Sequence, residues 1–408
     1  MKQFNVPVTY RSPLISAVKQ KRKLQDKLKK DFTPTLLEFG PVNIYLARHF
    51  GFCYGVENAI EIAFRTVDEN PGKRIFLLSE MIHNPQVNAD LKQRGVRFLQ
   101  DTNGQPIIPL EELNADDVVI IPAFGTTLQL ESQLQHIGIQ TEKYDTTCPF
   151  VEKVWNRSEQ IARKGYSVVV HGKPRHEETR ATFSHSAANT PTVVVNDIAE
   201  AKVLATYITG EAEPTTFYTT FEGRYSPGFD VKKDLQRIGV VNQTTMLASD
   251  TQAIADYLKH AIAEHYNLND TSIGERFADT RDTLCYATND NQSAVYGLVE
   301  TPADLAIVVG GYNSSNTSHL VELCEEKLPT FYIDSPDKLL SKKEILHHNF
   351  HKKQDLHTVD YLPSKEPVNI LITSGASCPD AVVEQVIRKL VSFYDAEKSV
   401  EELTEAFV

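Results

Sequence analysis

The sequence predicts an α/β fold of repeated units with mostly parallel sheets, and three observations carry that expectation. Short apolar runs alternate with helical patterns from Val42 onward. Most of these runs are near-continuous Val, Ile and Leu, as in strands buried on both faces of a parallel sheet. DTTCPFVEKV (Asp145 to Val154) is echoed by DTLCYATNDN (Asp282 to Asn291), each placing Asp-Thr-x-Cys ahead of a helical pattern.

In chain order, residues 1–40 read as an appendage. Within it, AVKQKRKLQDKLKK (Ala17 to Lys30) reads as a basic, solvated helix; docking to an acidic partner and targeting are the sharper alternatives. A Lys-rich run is unlike the Arg- and Ser-rich pattern of an organellar transit peptide. Strands are expected in VNIYLA (42–47), RIFLLSE (74–80), DVVIIPA (117–123), YSVVVHG (166–172), PTVVVN (191–196), RIGVVNQ (237–243), DLAIVVGG (304–311), PTFYID (329–334) and VNILITSG (368–375). Helices follow several of them: Val56, Ile60, Phe64 and Val67 share one face, as do Val382, Val386, Leu390 and Phe393. The polar stretch Thr209 to Asp230 reads as an inserted surface loop.

Composition narrows the function. The chain has 408 residues, 41% hydrophobic and 24% charged, as in ordinary multi-domain globular proteins. No apolar run approaches the ~18 residues of a membrane span. A net charge of −12 argues against nucleic-acid binding, which needs a basic face. The N-terminus has no apolar signal core. Five widely separated cysteines, an odd number with no C-x-x-C pair, suit a reducing cytoplasm.

Ligands in open α/β sheets bind beyond the carboxyl ends of the strands, and polar residues collect there. Cys53 follows the first strand and His83 the second; His176 and Glu178 follow VVVHG; Gln243, Thr244 and Thr245 follow RIGVV; Ser314, Ser315 and Asn316 follow IVVGG; Ser377 follows NILIT. Singly, each Ser, Thr or Asn reads as a helix N-cap, and His83 as a loop or core histidine. The argument lies in their coincidence. Cys53, Cys148 and Cys285 each stand at a strand-to-helix turn, where a helix N-terminus favours the thiolate that soft metals and iron–sulfur clusters bind. The alternative is three buried small hydrophobes. Cys324 falls inside a helical pattern and reads as a core thiol; Cys378, in GASCPD, is ambiguous. Ser, Asn, neutral His and helix N-termini cradle phosphate without a Walker lysine, and no G-x-x-x-x-G-K-[ST] motif is present.

GFCYGV, the IHN around His83, DTTCP, HEE, NQTT, DTLCYAT-x-x-x-Q, GYNSSNT and GASCPD occur in the order of the LytB family of 4-hydroxy-3-methylbut-2-enyl diphosphate reductases, which the chain resembles from about Ile44 to Leu390. The resemblance implies three similar α/β units in a trefoil around a central cluster. It divides the chain into an N-terminal basic extension (1–40), a unit with Cys53 (41–147), a unit with Cys148 (148–282, with the loop at about 209–230), a unit with Cys285 (283–395) and a C-terminal tail (396–408). It implies reductive dehydroxylation of the allylic diphosphate to isopentenyl and dimethylallyl diphosphate, the last step of the methylerythritol phosphate pathway. It further implies one 4Fe–4S cluster held by Cys53, Cys148 and Cys285, with one iron lacking a protein ligand. Glu178 would supply a proton through Thr244, while His83, His176, Ser314, Ser315, Asn316 and Ser377 would hold the diphosphate. Electrons would come from a ferredoxin or flavodoxin type donor, and no nucleic-acid or membrane partner is expected. The chain departs from the family at Phe124, where many members carry a diphosphate-binding histidine, a departure that resembles the plant and cyanobacterial branch. Cys378 stands where a small apolar residue is usual and is expected not to ligate the cluster. A hydro-lyase using the same open iron and a non-catalytic iron–sulfur sensor are the competing readings.

Overall fold

The computed structural model describes residues 4–278 and 283–408. Asp282, the first residue of the second Asp-Thr-x-Cys copy, and the boundary expected beside it lie outside the described residues. Every apolar run expected to be a strand is one. The strands are β1 (Thr35–Glu38), β2 (Val42–Leu46), β3 (Ile75–Leu77), β4 (Arg97–Phe98), β5 (Val118–Ile120), β6 (Ser167–His171), β7 (Thr192–Val195), β8 (Ile238–Asn242), β9 (Leu305–Val309), β10 (Thr330–Ile333), β11 (Glu344–Asn349), β12 (Gln354–Val359) and β13 (Val368–Ser374).

These form a five-stranded sheet in the order β1-β2-β13-β9-β10, two three-stranded sheets, β4-β3-β5 and β7-β6-β8, and the hairpin β11-β12. Apart from the hairpin, all neighbours run parallel except β1 and β2. The strands β6, β8 and β9 are buried at every position, which is why their sequences carry no polar alternation. The hairpin is the reverse case. Its residues are mostly half-buried or exposed on both faces, so no apolar period announces it.

The chain divides into two compact units: one takes the residues up to Glu57, Ile82–Ala89 and Tyr286–Val408, the other Asn58–Met81 and Asp90–Cys285. The first unit holds the five-stranded sheet and the hairpin; the second holds both three-stranded sheets. Sheet membership therefore does not follow chain order. β2, which leads toward Cys53, pairs in parallel with β13, Ile44 opposite Ile370, and not with the strands that follow it in sequence. β13 is buried on both faces and has a parallel neighbour on either side.

Two expectations are corrected. The N-terminal residues are not an appendage. Ser12 caps the helix Pro13–Gln25 by accepting from the Ile15 N–H at 2.9 Å, with Pro13 at the first position, where its missing N–H costs nothing. Leu14, Ile15, Ala17 and Val18 are buried, and the helix packs against the helices Asp380–Val391 and Val400–Phe407. Ser12 also hydrogen-bonds Glu384, and Lys19 pairs with Asp380 at 2.7 Å. The apolar face was hidden because half of it, Leu14 and Ile15, precedes the basic run. Nor is 209–230 a surface loop throughout. Phe217 and Phe221 are fully buried, and Phe229 nearly so, in a core with Leu204, Ile208, Ile238 and Leu258. The Phe217 and Phe229 rings stack 5.2 Å apart. Turn-forming residues around these aromatics gave the segment its polar appearance.

Candidate functional site

In the second unit the Asp-Thr-x-Cys motif has a local physical meaning. The Asp145 carboxylate accepts from the Thr147 N–H at 2.7 Å and its hydroxyl at 2.6 Å, while the Thr146 hydroxyl donates to the Ile121 carbonyl at 2.6 Å. That turn delivers Cys148 to the N-cap of the helix Pro149–Arg163, with the Cys148 N–H donating to the Ala123 carbonyl at 3.0 Å. Cys285, just before the helix Tyr286–Val299, is tied through its N–H to the Thr244 carbonyl at 3.3 Å.

Glu178 lies in the first turn of the helix Glu177–Ala187 and is almost completely buried. The Thr244 hydroxyl donates to its Oε2 at 3.0 Å, and the Thr244 N–H donates to its Oε1. His176 caps the same helix, its Nδ1 accepting from the Glu178 N–H at 3.2 Å. A ring nitrogen that accepts carries no proton, so the neutral His176 ring presents an Nε2–H donor. The loop is braced by Gln243. Its Oε1 accepts from the Thr179 hydroxyl at 2.9 Å and the Lys173 N–H at 3.1 Å, and its Nε2 donates to the Thr245 hydroxyl at 2.6 Å. Phe124, in the loop after β5, sets its ring edge-to-face with His176, centroids 5.5 Å apart at 85°. Burial pushes the Cys148 thiol up to about 12. The N–H groups of Phe150 and Val151 pull it down, while neighbouring Cys285 and Glu178 raise it further. The unit thus brings Cys148, Cys285, Glu178 and Thr244 into one neighbourhood, with His176 attached through the Glu178 backbone.

In the first unit Cys53 opens the helix Tyr54–Glu69, and its carbonyl accepts from the Glu57 N–H at 2.9 Å. Its own N–H donates to the Ala376 carbonyl at 3.2 Å. The Ala376 N–H in turn donates to Asn316 Oδ1 at 2.9 Å, so the Cys53 loop, the Ser377 loop and the helix Ser315–Glu325 are linked directly. Ser377 donates its hydroxyl to the His83 carbonyl at 3.1 Å. Gly311 abuts that same carbonyl; a Cβ there would collide with it, so only glycine lets the β9 loop close on His83.

Ser314 caps the helix Ser315–Glu325, its Oγ accepting from the Thr317 N–H at 3.2 Å; its O–H proton is not used in that bond. Among the described residues, Ser315 Oγ and Asn316 Nδ2 are buried and have no hydrogen-bond partner. Two orphaned buried donors at a helix N-terminus are costly unless an anion occupies the space in front of them. Sequence reasoning gave no role to Asn291, which is buried and donates to Asn316 Oδ1 at 3.5 Å. The signal available was a polar cluster, Thr288, Asn291 and Gln292, on the buried side of a helix otherwise packed by Ala294, Val295 and Leu298.

The five cysteines fall into two groups. None is in a disulfide; Cys53, Cys148 and Cys285 are half-buried, whereas Cys324 and Cys378 are sealed in the interior. Burial pushes the Cys324 and Cys378 thiols up to about 12, and Cys378 leans on its neighbour's carbonyl, Sγ to Pro379 O being 3.7 Å. A thiolate is the donor that a soft metal or an iron–sulfur cluster takes, and each of these three half-buried cysteines stands on a loop whose own backbone N–H is bonded elsewhere. Among the described residues no helix is long and apolar enough to cross a membrane.

Comparison with known proteins agrees with this chemistry. The profile of the family described as LytB protein matches residues 44–391. The chain is 42% identical to a 4-hydroxy-3-methylbut-2-enyl diphosphate reductase from a Picosynechococcus species, over 86% of this chain and 84% of that one. It is 38% identical to the reductase of the same name from Gloeobacter violaceus, over 91% of this chain and 90% of the other. Among solved structures, the E-1-hydroxy-2-methyl-but-2-enyl-4-diphosphate reductase of Plasmodium falciparum shares the fold, with TM-score 0.59 and 20% identity, over 85% of this chain and 87% of that one. A structure of (E)-4-hydroxy-3-methyl-but-2-enyl diphosphate reductase, the terminal enzyme of the non-mevalonate pathway, aligns with TM-score 0.50 and 26% identity, over 86% of this chain and 99% of that one.

Proposed function

Because the chain belongs to the LytB family, we infer that it reductively removes the hydroxyl group of 4-hydroxy-3-methylbut-2-enyl diphosphate, giving isopentenyl and dimethylallyl diphosphate. This is the last step of the methylerythritol phosphate route. Two electrons and two protons enter, the C–O bond breaks, and water leaves. In this reading Cys53, Cys148 and Cys285 ligate one 4Fe–4S cluster, which supplies the electrons and, with one iron lacking a protein ligand, a Lewis-acid position. The fit rests on the three accessible thiols and the exclusion of Cys324 and Cys378 from them.

The observation that carries the assignment of the protein's own chemistry is the buried Glu178–Thr244 couple beside Cys148 and Cys285. Thr244 offers one hydroxyl that both donates and accepts. It can pass a proton outward while taking one from the Glu178 carboxyl, and burial keeps bulk water from competing. The diphosphate is assigned to Ser314, Ser315, Asn316, Ser377, His83 and His176. Ser315 and Asn316 contribute otherwise unpartnered donors at a helix N-terminus, and His176 contributes its Nε2–H. Electrons are assigned to a ferredoxin or flavodoxin type donor. A reducing, cytoplasmic setting suits thiols that form no disulfide.

The test is anaerobic turnover of the cluster-loaded protein with the hydroxylated allylic diphosphate and reduced viologen. Viologen oxidation with both isopentenyl products is expected. Glu178→Gln should lose about 10²- to 10⁴-fold in kcat with its cluster absorption unchanged. A fully loaded wild type that oxidises no viologen would remove the reductase reading. A Glu178→Gln variant as active as wild type would remove the proton role.

A further inference from the structure

We propose that the basic segment Lys19–Lys29, which is the end of the N-terminal helix and the turn after it, and the Cys53 loop form the docking surface for a small, acidic, one-electron carrier protein. The proposal rests on the reductive activity inferred above and specifies where its electrons arrive.

In the first unit a cavity of about 350 Å³ is lined by Lys19, Lys23, Lys27, Lys29, Arg48 and Cys53. The chain as a whole carries a net charge of −12, so a basic cavity runs against its own background. Five cationic side chains line it against two carboxylates, Glu57 and Asp290. Part of that charge is already answered. Lys19 pairs with Asp380 at 2.7 Å, Lys29 with Asp290 at 3.4 Å, and Arg48, almost fully buried, lies 3.8 Å from Asp26. Lys23 and Lys27 are exposed and make no ion pair among the described residues. They are the positive charge left for a partner.

The same segment exposes apolar surface that folding leaves uncovered. Leu24 is 68% exposed and Leu28 76%, each next in sequence to one of these lysines. On the cavity lining, Tyr54 is 37% exposed and Tyr286 40%. Exposed leucines and tyrosines within a rim of charge have the composition of a protein interface rather than of a small-anion site. The charge selects an acidic partner by steering and by rejecting basic ones. Cys53 lines the cavity itself, so a carrier seated there faces a loop that, in the reductase reading, holds the acceptor. Each docking event delivers one electron from the reduced carrier, which leaves oxidised, and two events serve one turnover.

The experiment compares the Lys23→Glu/Lys27→Glu double variant with the cluster-loaded wild type. Turnover is driven either by a reduced acidic ferredoxin-type protein or by reduced methyl viologen, over a range of salt concentration. The KM for the carrier should rise about tenfold or more and lose most of its salt dependence, while viologen-driven kcat and cluster absorption stay unchanged. Lys23→Arg/Lys27→Arg should behave as wild type. Unchanged carrier KM and salt dependence would overturn the proposal, and so would a parallel fall in viologen-driven turnover. Titration of the oxidised carrier onto the protein at low salt tests docking without turnover. It keeps a failure of the surface distinct from a failure of the reductase reading, which would already appear as a wild type inert to viologen.

Discussion

Phe124 sets its ring edge-to-face against His176, and this contact acts together with a backbone hydrogen bond on the same imidazole. Its contact with His176 fixes the imidazole from one side, while the Glu178 N–H fixes Nδ1 from another. The Nε2–H is left pointing in one direction. An aromatic edge contact of this kind contributes about 0.5–1.5 kcal/mol. Phe124→Ala should therefore raise KM for the diphosphate substrate about 2- to 10-fold with kcat nearly unchanged, because positioning of His176 is lost and the Glu178–Thr244 couple is not. A KM equal to wild type in steady-state assays would show that Phe124 does not hold the ring. At this scale several contacts among the candidate residues were legible. Glu178 and Thr244 were named from strand-end position and motif, and the structure joins them. Gln243 and Asn291 were not assigned roles because each acts by reaching a loop far away in sequence, Thr179 in one case and Asn316 in the other. A linear pattern cannot display that reach.

At the scale of elements, what could be read was whatever buries both faces. The nine apolar runs became strands, whereas β11 and β12, polar on both faces, and the core segment carrying Phe217 had no periodic signal. Short strands also need pins. Arg74 and Asp117 stand immediately before the paired strands β3 and β5, and Arg74 Nε donates to Asp117 Oδ1 at 2.7 Å. Burial works to raise the Asp117 pKa. The Arg74 side-chain hydrogen bond and the Asn114 N–H outweigh it and hold the carboxyl below its ordinary 3.8. A depressed folded pKa gives stability that is fully present above the unfolded value and lost as pH falls through the folded one. Asp117→Asn should thus cost about 1–3 kcal/mol at neutral pH, and the gap to wild type should close as pH drops below 3.8. Urea midpoints of both proteins at pH 7 and near pH 3 decide it, and a gap of equal size at both would rule out the charge as its source.

At the scale of the whole molecule, the sequence conceals how the chain returns on itself. Its opening strands β1 and β2 complete a sheet whose other members come from the last third of the chain. Its first long helix packs on its last two. This long-range closure separates two properties of the N-terminal helix that composition alone runs together: a basic outer face exposed at Lys23, and an apolar inner face committed to the core. Leu14 and Ile15 are fully buried, each contributing about 1.5–3 kcal/mol, and Ser12 and Lys19 add contacts to Glu384 and Asp380. Deleting residues 4–30 should therefore lower stability by several kcal/mol, and it should reduce viologen-driven turnover along with carrier-driven turnover. Reversing Lys23 and Lys27, whose side chains are exposed, should leave stability within about 0.5 kcal/mol of wild type. Denaturant unfolding of the truncated, the charge-reversed and the full-length proteins tests this. A truncated protein as stable and as active with viologen as the full chain would return the helix to the status of an accessory arm, and the burial of Leu14 and Ile15 would then carry no energetic weight.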